Sequence, residues 1–133
     1  MMKSKKQITL ATLFIVLATM AMDFLFHGQL LMSLYESTYY IWRPMEDVNP
    51  SLPGLVTLVY SLIYVLFYKV VVRTKSIVMG GTYGFFVGSL IGVLQLSFYI
   101  YLPIPYAMAV SWLGIALFES IVTGFIVGYF VKD

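Results

Sequence analysis

Four long apolar stretches occupy most of this sequence. They cover about residues 7–31, 52–72, 77–101 and 105–131 of a chain of 133 residues. A helix needs about 20 apolar residues to cross a bilayer, so each stretch is long enough to span it once. Charged residues make up only 11% of the chain, whereas a soluble domain carries about 25%. The sequence therefore predicts a single transmembrane domain, residues 1–133, that is all-α and folds as an integral membrane four-helix bundle.

The basic residues indicate how this bundle is oriented. Only Arg43 lies between the first and second stretches. The other basic residues lie at the two termini, at the end of the second stretch or between the second and third, namely Lys3, Lys5, Lys6, Lys69, Arg73, Lys75 and Lys132. Lysine and arginine are enriched on the cytoplasmic side of membrane proteins. We therefore expect a multi-pass protein of the inner membrane with both the N and C termini in the cytoplasm.

Two further features of the sequence narrow its class. The lysines before the first apolar stretch resemble the start of a signal peptide, but no small-x-small cleavage site follows, so we expect a first transmembrane helix instead. The chain has no cysteine and a net charge of only +2, which excludes thiol chemistry and argues against binding of nucleic acid. No nucleophile elbow, phosphate loop or zinc-protease motif occurs, and we expect no enzyme.

The segment between the first two spans is the most polar part of the chain. Pro44 and Pro50 lack the amide hydrogen that a continuing helix needs, so a break is expected there. The first span either continues as an amphipathic helix towards Tyr40 or gives way to a loop. Trp42 and Arg43 belong to this predicted outer loop.

Glycines recur at helical spacing in the third span and again in the fourth. Small residues four positions apart line one face of a helix, where they allow the backbones of two membrane helices to approach closely. We predict that this glycine zipper packs the third span against the fourth or against a neighbouring protein. The predicted packing positions are Gly80, Gly84, Gly88, Gly92, Gly124 and Gly128.

Four polar side chains lie inside the predicted membrane region, where an ionised acid costs about 2.5–3.5 kcal/mol. With a rise of 1.5 Å per residue, Glu119 lies about 18 Å, Asp23 about 24 Å, Gln95 about 27 Å and His27 about 30 Å from the cytoplasmic ends of their helices. Such depths allow the four to form one intramembrane polar cluster. Asp23 and His27 also share a helix face, because they are four residues apart.

Several roles are open for this cluster. Glu119 can form hydrogen bonds that hold neighbouring helices together, and Asp23 can form an ion pair with Arg43. The acids can bind a proton or a cation, and His27 is the candidate ligand for a cofactor such as haem, although no cofactor is identified. One histidine and two acids can also bind zinc, but their spacing in the sequence supports this weakly, and we assign no metal ligands.

The outer part of the first span also carries a family resemblance. Phe26 and His27 lie near the end of this span and Tyr35 follows; further on come Trp42, Arg43 and Pro44, and in the last span Glu119 precedes Gly124 and Gly128. This layout resembles a family of small four-helix bacterial membrane proteins of unknown function, which carry a Trp-His or similar pair near the end of the first span, then an apolar-Tyr segment and an Arg-Pro turn, and an acid ahead of small residues in the last helix. Phe26 stands at the tryptophan position of that pattern. The resemblance implies four spans and gives weight to His27, Arg43 and Glu119.

Three functional hypotheses follow. The first is a non-enzymatic accessory or scaffold subunit, or a small homo-oligomer, that is packed in the bilayer through its glycine faces. The second is a small proton-coupled transporter or channel that uses Glu119 and Asp23. The third is a haem- or pigment-binding membrane subunit that uses His27.

Overall fold

Four long helices and several short helical segments form the structure, a computed structural model that describes residues 1–133. The chain is 83% helical and has no β-strand. The four long helices are long and apolar enough to cross a membrane, which confirms the predicted all-α membrane bundle. In chain order, the α-helices are α1 (Met2–Leu25), α2 (Met32–Ser37), α3 (Leu52–Val71), α4 (Ile77–Leu96), α5 (Phe98–Tyr101) and α6 (Tyr106–Phe130).

The first membrane helix does not end as a regular α-helix. A π-helical turn, Phe26–Leu30, follows α1 directly, and the N–H of Leu31 donates to the carbonyl oxygen of Phe26 at 2.9 Å, five residues back. Beyond Leu31 the chain forms α2 and two short 3₁₀ turns, Tyr39–Ile41 and Met45–Asp47. The segment is thus a series of short helical pieces and not one helix that continues to Tyr40.

The other membrane helices begin at recognisable signals. Pro53 lies in the first turn of α3, where its missing N–H costs nothing. The hydroxyl of Ser76 caps α4 by accepting the N–H of Met79 at 3.1 Å. Pro105 immediately precedes α6. These signals place the helix starts close to the predicted span boundaries.

Both termini lie at one end of the bundle, together with the connection between α3 and α4. Lys69 Nζ donates to Ser4 Oγ at 2.6 Å, and the Lys75 backbone N–H donates to an Asp133 carboxylate oxygen at 3.2 Å. Gln7 donates to the carbonyl oxygen of Lys132 at 3.3 Å. We call this the terminal end and the opposite one the loop end.

The tightest helix contact is between α4 and α6. A Cβ atom added at Gly80 would collide with the carbonyl oxygen of Gly124, and one added at Gly84 would collide with that of Ser120. Only glycine allows two backbones to approach this closely. The predicted packing glycines of α4, Gly80, Gly84, Gly88 and Gly92, are all buried and face α6 within the same chain.

Tyrosine side chains connect α3 to the α4–α6 pair. The Tyr64 hydroxyl of α3 donates to the carbonyl oxygen of Ser120 at 2.7 Å, and the Tyr83 hydroxyl of α4 donates to the carbonyl oxygen of Tyr64 at 2.8 Å. Both rings belong to the larger apolar core, near the terminal end. A smaller core at the loop end contains Leu31, Ile104, Met108, Ala109 and Trp112. The space between the two cores holds the polar residues.

Candidate cation site

Three ionisable side chains from two distant parts of the chain meet in the middle of the bundle. Asp23 comes from α1, His27 from the π-helical turn that follows it, and Glu119 from α6. One potential ligand atom from each lies within 4.8 Å of the others. The structure therefore brings together three of the four residues that sequence depth placed in one cluster.

The fourth residue, Gln95, lies in the same place. A cavity of about 330 Å³ is lined by Asp23, His27, Gln95 and Glu119. Hydroxyl groups add to its polar wall, from Thr19, Thr57, Tyr60, Ser120 and Thr123. Polar side chains of all four long helices thus contribute to one cavity.

The Glu119 carboxyl group has unused hydrogen-bonding capacity. Its Oε1 atom is buried and has no hydrogen-bond partner in the protein. A carboxyl oxygen of Glu119 and one of Asp23 lie within 4.8 Å of each other, but two carboxylates can only repel unless a proton or a cation lies between them. The predicted pairing of Asp23 with Arg43 is not formed, because the only ion pair of the structure joins Lys75 and Asp133.

The His27 ring is held by a chain of hydrogen bonds at the loop end. Its Nδ1 lies 2.7 Å from the hydroxyl oxygen of Tyr35, which accepts the indole N–H of Trp112 at 2.8 Å. Burial raises the pKa of Tyr35 above its ordinary value, so the phenol keeps its hydrogen at neutral pH. The second ring nitrogen of His27, Nε2, takes no part in this contact.

The π-helical turn matters for this arrangement. Eight residues separate His27 from Tyr35, which in a straight α-helix would place them about 12 Å apart. The wider turn and the bend at Leu31, where φ is −97° and ψ is 5°, bring α2 back so that Tyr35 reaches the ring. π-Helical turns inside α-helices occur frequently at functional sites.

The predicted outer-loop residues border a second cavity. Trp42 and Arg43 line a space of about 650 Å³ at the loop end, together with Glu36, Tyr35 and His27. The Trp42 ring packs against Tyr35 and Trp112, with ring centroids 5.5 Å and 6.0 Å away. His27 lines both cavities and therefore stands between the inner polar cavity and the loop end.

Sequence reasoning missed the aromatic residues that complete the site. Tyr35 holds His27 and Trp112 holds Tyr35, but in the sequence Tyr35 entered only through the family resemblance and Trp112 was not singled out. Tyr60 lines the inner cavity on a helix with no charged residue before Lys69. The sequence offers one indication of its role. Tyr60, Tyr64 and Tyr68 are four residues apart, so their hydroxyl groups lie along one face of α3.

Comparison with known proteins gave no match to any protein-family model, curated protein or solved structure.

Proposed function

We propose that this protein binds a small cation inside the membrane and moves it across, as a small transporter or channel that uses Glu119 and Asp23. The observation that carries the proposal is the meeting of Asp23, His27 and Glu119 at a polar cavity. Ionisable residues within membrane helices are expensive and generally mark ion pathways. Here three of them share one site, and a buried carboxyl oxygen lacks a partner.

The position of His27 supports a transport role. A cation site that serves transport needs a route to the membrane surface, and His27 lines both the inner cavity and the cavity at the loop end. His27 is the one residue that lines both spaces, so we propose that its side chain separates them. At the other end, the larger apolar core and the tyrosine contacts close the bundle.

The scaffold hypothesis receives less support from the geometry. It depended on glycine faces that are free to bind another protein. The glycines of α4 face α6 in the same chain, so any homo-oligomer or larger complex must use another surface. The haem or pigment hypothesis depends on His27, the only histidine of the chain. Two carboxyl groups lie close to this histidine, and such a set of ligands suits a cation better than haem.

The distribution of basic residues supports an orientation with the terminal end in the cytoplasm. Contacts between the termini and the α3–α4 connection gather seven of the eight basic residues at this end, all but Arg43. By the positive-inside rule, we propose an inner-membrane protein whose cavity with Arg43 and Trp42 faces outward.

The experiment that tests the proposal is transport by the full chain in liposomes. Proteoliposomes would be exposed to gradients of Na⁺, K⁺, Mg²⁺, Co²⁺ and H⁺, with trapped indicator dyes to report uptake and a supported membrane to report current. Glu119→Gln should reduce the flux to that of protein-free liposomes, whereas Glu46→Gln, in the exposed outer loop, should leave it unchanged. Equal flux in the Glu119→Gln variant and the wild type would contradict the proposal.

A further inference from the structure

The donor atoms at the site identify a class of cation. One imidazole nitrogen and two carboxyl groups meet there. Na⁺, K⁺, Mg²⁺ and Ca²⁺ prefer oxygen ligands alone, whereas imidazole suits the divalent transition metals such as Zn²⁺, Co²⁺ and Ni²⁺. The presence of His27 between two acids therefore favours a transition metal over an alkali or alkaline-earth ion.

Charge favours a divalent over a monovalent ion, and together with the ligand preference it points to a divalent transition metal. Two ionised carboxylates carry a charge of −2, and a divalent cation between them gives a neutral site. A monovalent cation would leave one net negative charge within the bundle, at the cost that a buried charge carries in a membrane. No lysine or arginine lines the cavity to compensate for this charge.

The distances fit one ion. Metal–ligand bonds of about 2.0–2.2 Å place ligand atoms on the same ion roughly 3–4 Å apart. The ligand atoms of Asp23, His27 and Glu119 already lie within 4.8 Å of one another, so small side-chain rotations bring them into coordination. The buried Oε1 of Glu119, which has no partner in the protein, would gain one.

The hydrogen bonds of His27 prepare the ring for such an ion. A metal-binding histidine generally has its other ring nitrogen fixed by a hydrogen bond. Here Tyr35 holds Nδ1, and Trp112 holds Tyr35. Nε2 is left as the ligand. The Tyr35 oxygen has two lone pairs, so it can accept hydrogen bonds from both Trp112 and the Nδ1–H of a metal-bound ring.

From these observations we propose that the site binds a divalent transition-metal ion through Asp23, His27 Nε2 and Glu119. The inference rests on the proposed function, since it names the cation that the same site takes. Three protein ligands leave a fourth position open, as in zinc sites that exchange a bound molecule and unlike closed structural sites. The polar cavity beside these residues leaves room for a water molecule as a fourth ligand.

The test is Co²⁺ binding to the full chain in mild detergent, purified without a histidine tag. Co²⁺ replaces Zn²⁺ in such sites and absorbs visible light when it is bound by nitrogen and carboxylate ligands. We expect one Co²⁺ per chain, displaced by Zn²⁺ and not by Mg²⁺ or K⁺. His27→Gln, Asp23→Asn and Glu119→Gln should each weaken binding at least about 100-fold, more than loss of an outer partner costs.

Matched control variants show whether Co²⁺ binds at this site or at acidic residues on the protein surface. Glu46→Gln and Asp47→Asn change acids of the outer loop and should leave the Co²⁺ spectrum unaltered. Each variant is compared by gel filtration and circular dichroism, so that a misfolded protein is recognised. Because His27 is the only histidine, a spectrum that survives in a folded His27→Gln protein would overturn the inference.

Two results distinguish an error in the proposed metal site from an error in the proposed transport function. Glu119-dependent flux of H⁺ or Na⁺ without Co²⁺ binding would overturn the metal inference and leave transport standing. Co²⁺ binding that depends on all three residues, without Glu119-dependent flux of any cation, would support the metal site and overturn transport.

Discussion

The α4–α6 interface and the cavity beside α1 are built on opposite principles. Between α4 and α6, glycines remove side chains altogether and the backbones touch. Beside α1, long polar side chains reach into a cavity of about 330 Å³. The first region is held by close contact of backbone atoms, whereas the second contains polar groups with few hydrogen bonds, of which the one between His27 and Tyr35 borders the cavity. A bundle of four helices can thus remain rigid on one side while it keeps a polar space on the other.

Substitutions in the two regions should therefore have different effects. A substitution at Gly80 or Gly84, between α4 and α6, should strongly destabilise the protein, because the atoms that a new side chain would meet belong to the backbone and cannot move aside. A substitution at the cavity should alter binding while the bundle remains folded.

Gly84→Leu should cause the largest loss of stability. Its side chain would collide with the backbone of α6 at Ser120, and overpacking of this kind costs about 3 kcal/mol. The measurement is thermal unfolding in detergent, followed by circular dichroism and gel filtration. Gly114→Leu is the matched control on α6, because a Cβ atom there meets nothing within 4 Å. Equal loss in both variants would show that the close approach is not what stabilises the bundle.

Glu119→Gln should abolish cation binding and leave stability nearly unchanged. The glutamine side chain has the same shape, and Glu119 Oε1 has no hydrogen bond to lose. We expect a change of less than about 1 kcal/mol in the free energy of unfolding, measured by the same thermal assay beside a Co²⁺ titration. A strongly destabilised variant would instead support a role for Glu119 as glue between helices.

Tyr35→Phe should have an intermediate effect through His27. The variant loses the hydrogen bonds to His27 and from Trp112, so the ring is no longer held in one orientation. We expect Co²⁺ affinity to fall about 10-fold and the visible spectrum of bound Co²⁺ to shift. Tyr39→Phe is the control, since Tyr39 is 76% exposed. Loss of thermal stability with an unchanged spectrum and affinity would make Tyr35 a structural residue only.

The smallest effect concerns acid pH at the terminal end. Hydrogen bonds from the backbone N–H and side chain of Lys75 lower the pKa of Asp133. This contact therefore stabilises the folded chain above the ordinary aspartate pKa of about 3.9, and the stabilisation is lost as the pH falls through the lowered value. The midpoint of thermal unfolding should be slightly lower in Asp133→Asn near neutral pH, and the difference should vanish in acid. A difference that widens in acid would contradict this account.

Much of the fold could be predicted because hydropathy and helix geometry act locally. Apolar length gave the four helices, and the four-residue spacing from Gly80 to Gly92 marked the face that meets α6. Counting residues along each helix was enough to place Asp23 and Glu119 at similar depth. These inferences need no knowledge of how the chain bends.

The parts that could not be predicted depend on the path of the chain after α1. Contact between His27 and Tyr35 requires both the π-helical turn and the bend at Leu31, and no sequence rule used here marks either. Trp112 then reaches Tyr35 from a helix 77 residues later. The spacing of one histidine and two acids along the chain likewise gave little indication of the proposed metal site. Glu119 lies near Asp23 and His27 only in the folded structure.

The π-helical turn after α1 can be regarded as a single extra residue inserted into a helix. Deleting one residue there, such as Gly28, would allow a regular α-helix to form and would change the path of the chain between His27 and Tyr35. The Tyr35 hydroxyl would then leave its place 2.7 Å from His27 Nδ1, although every other amino acid remained the same. The site at the loop end is therefore encoded partly by residue count, and an insertion or deletion in this turn should damage it more than most substitutions.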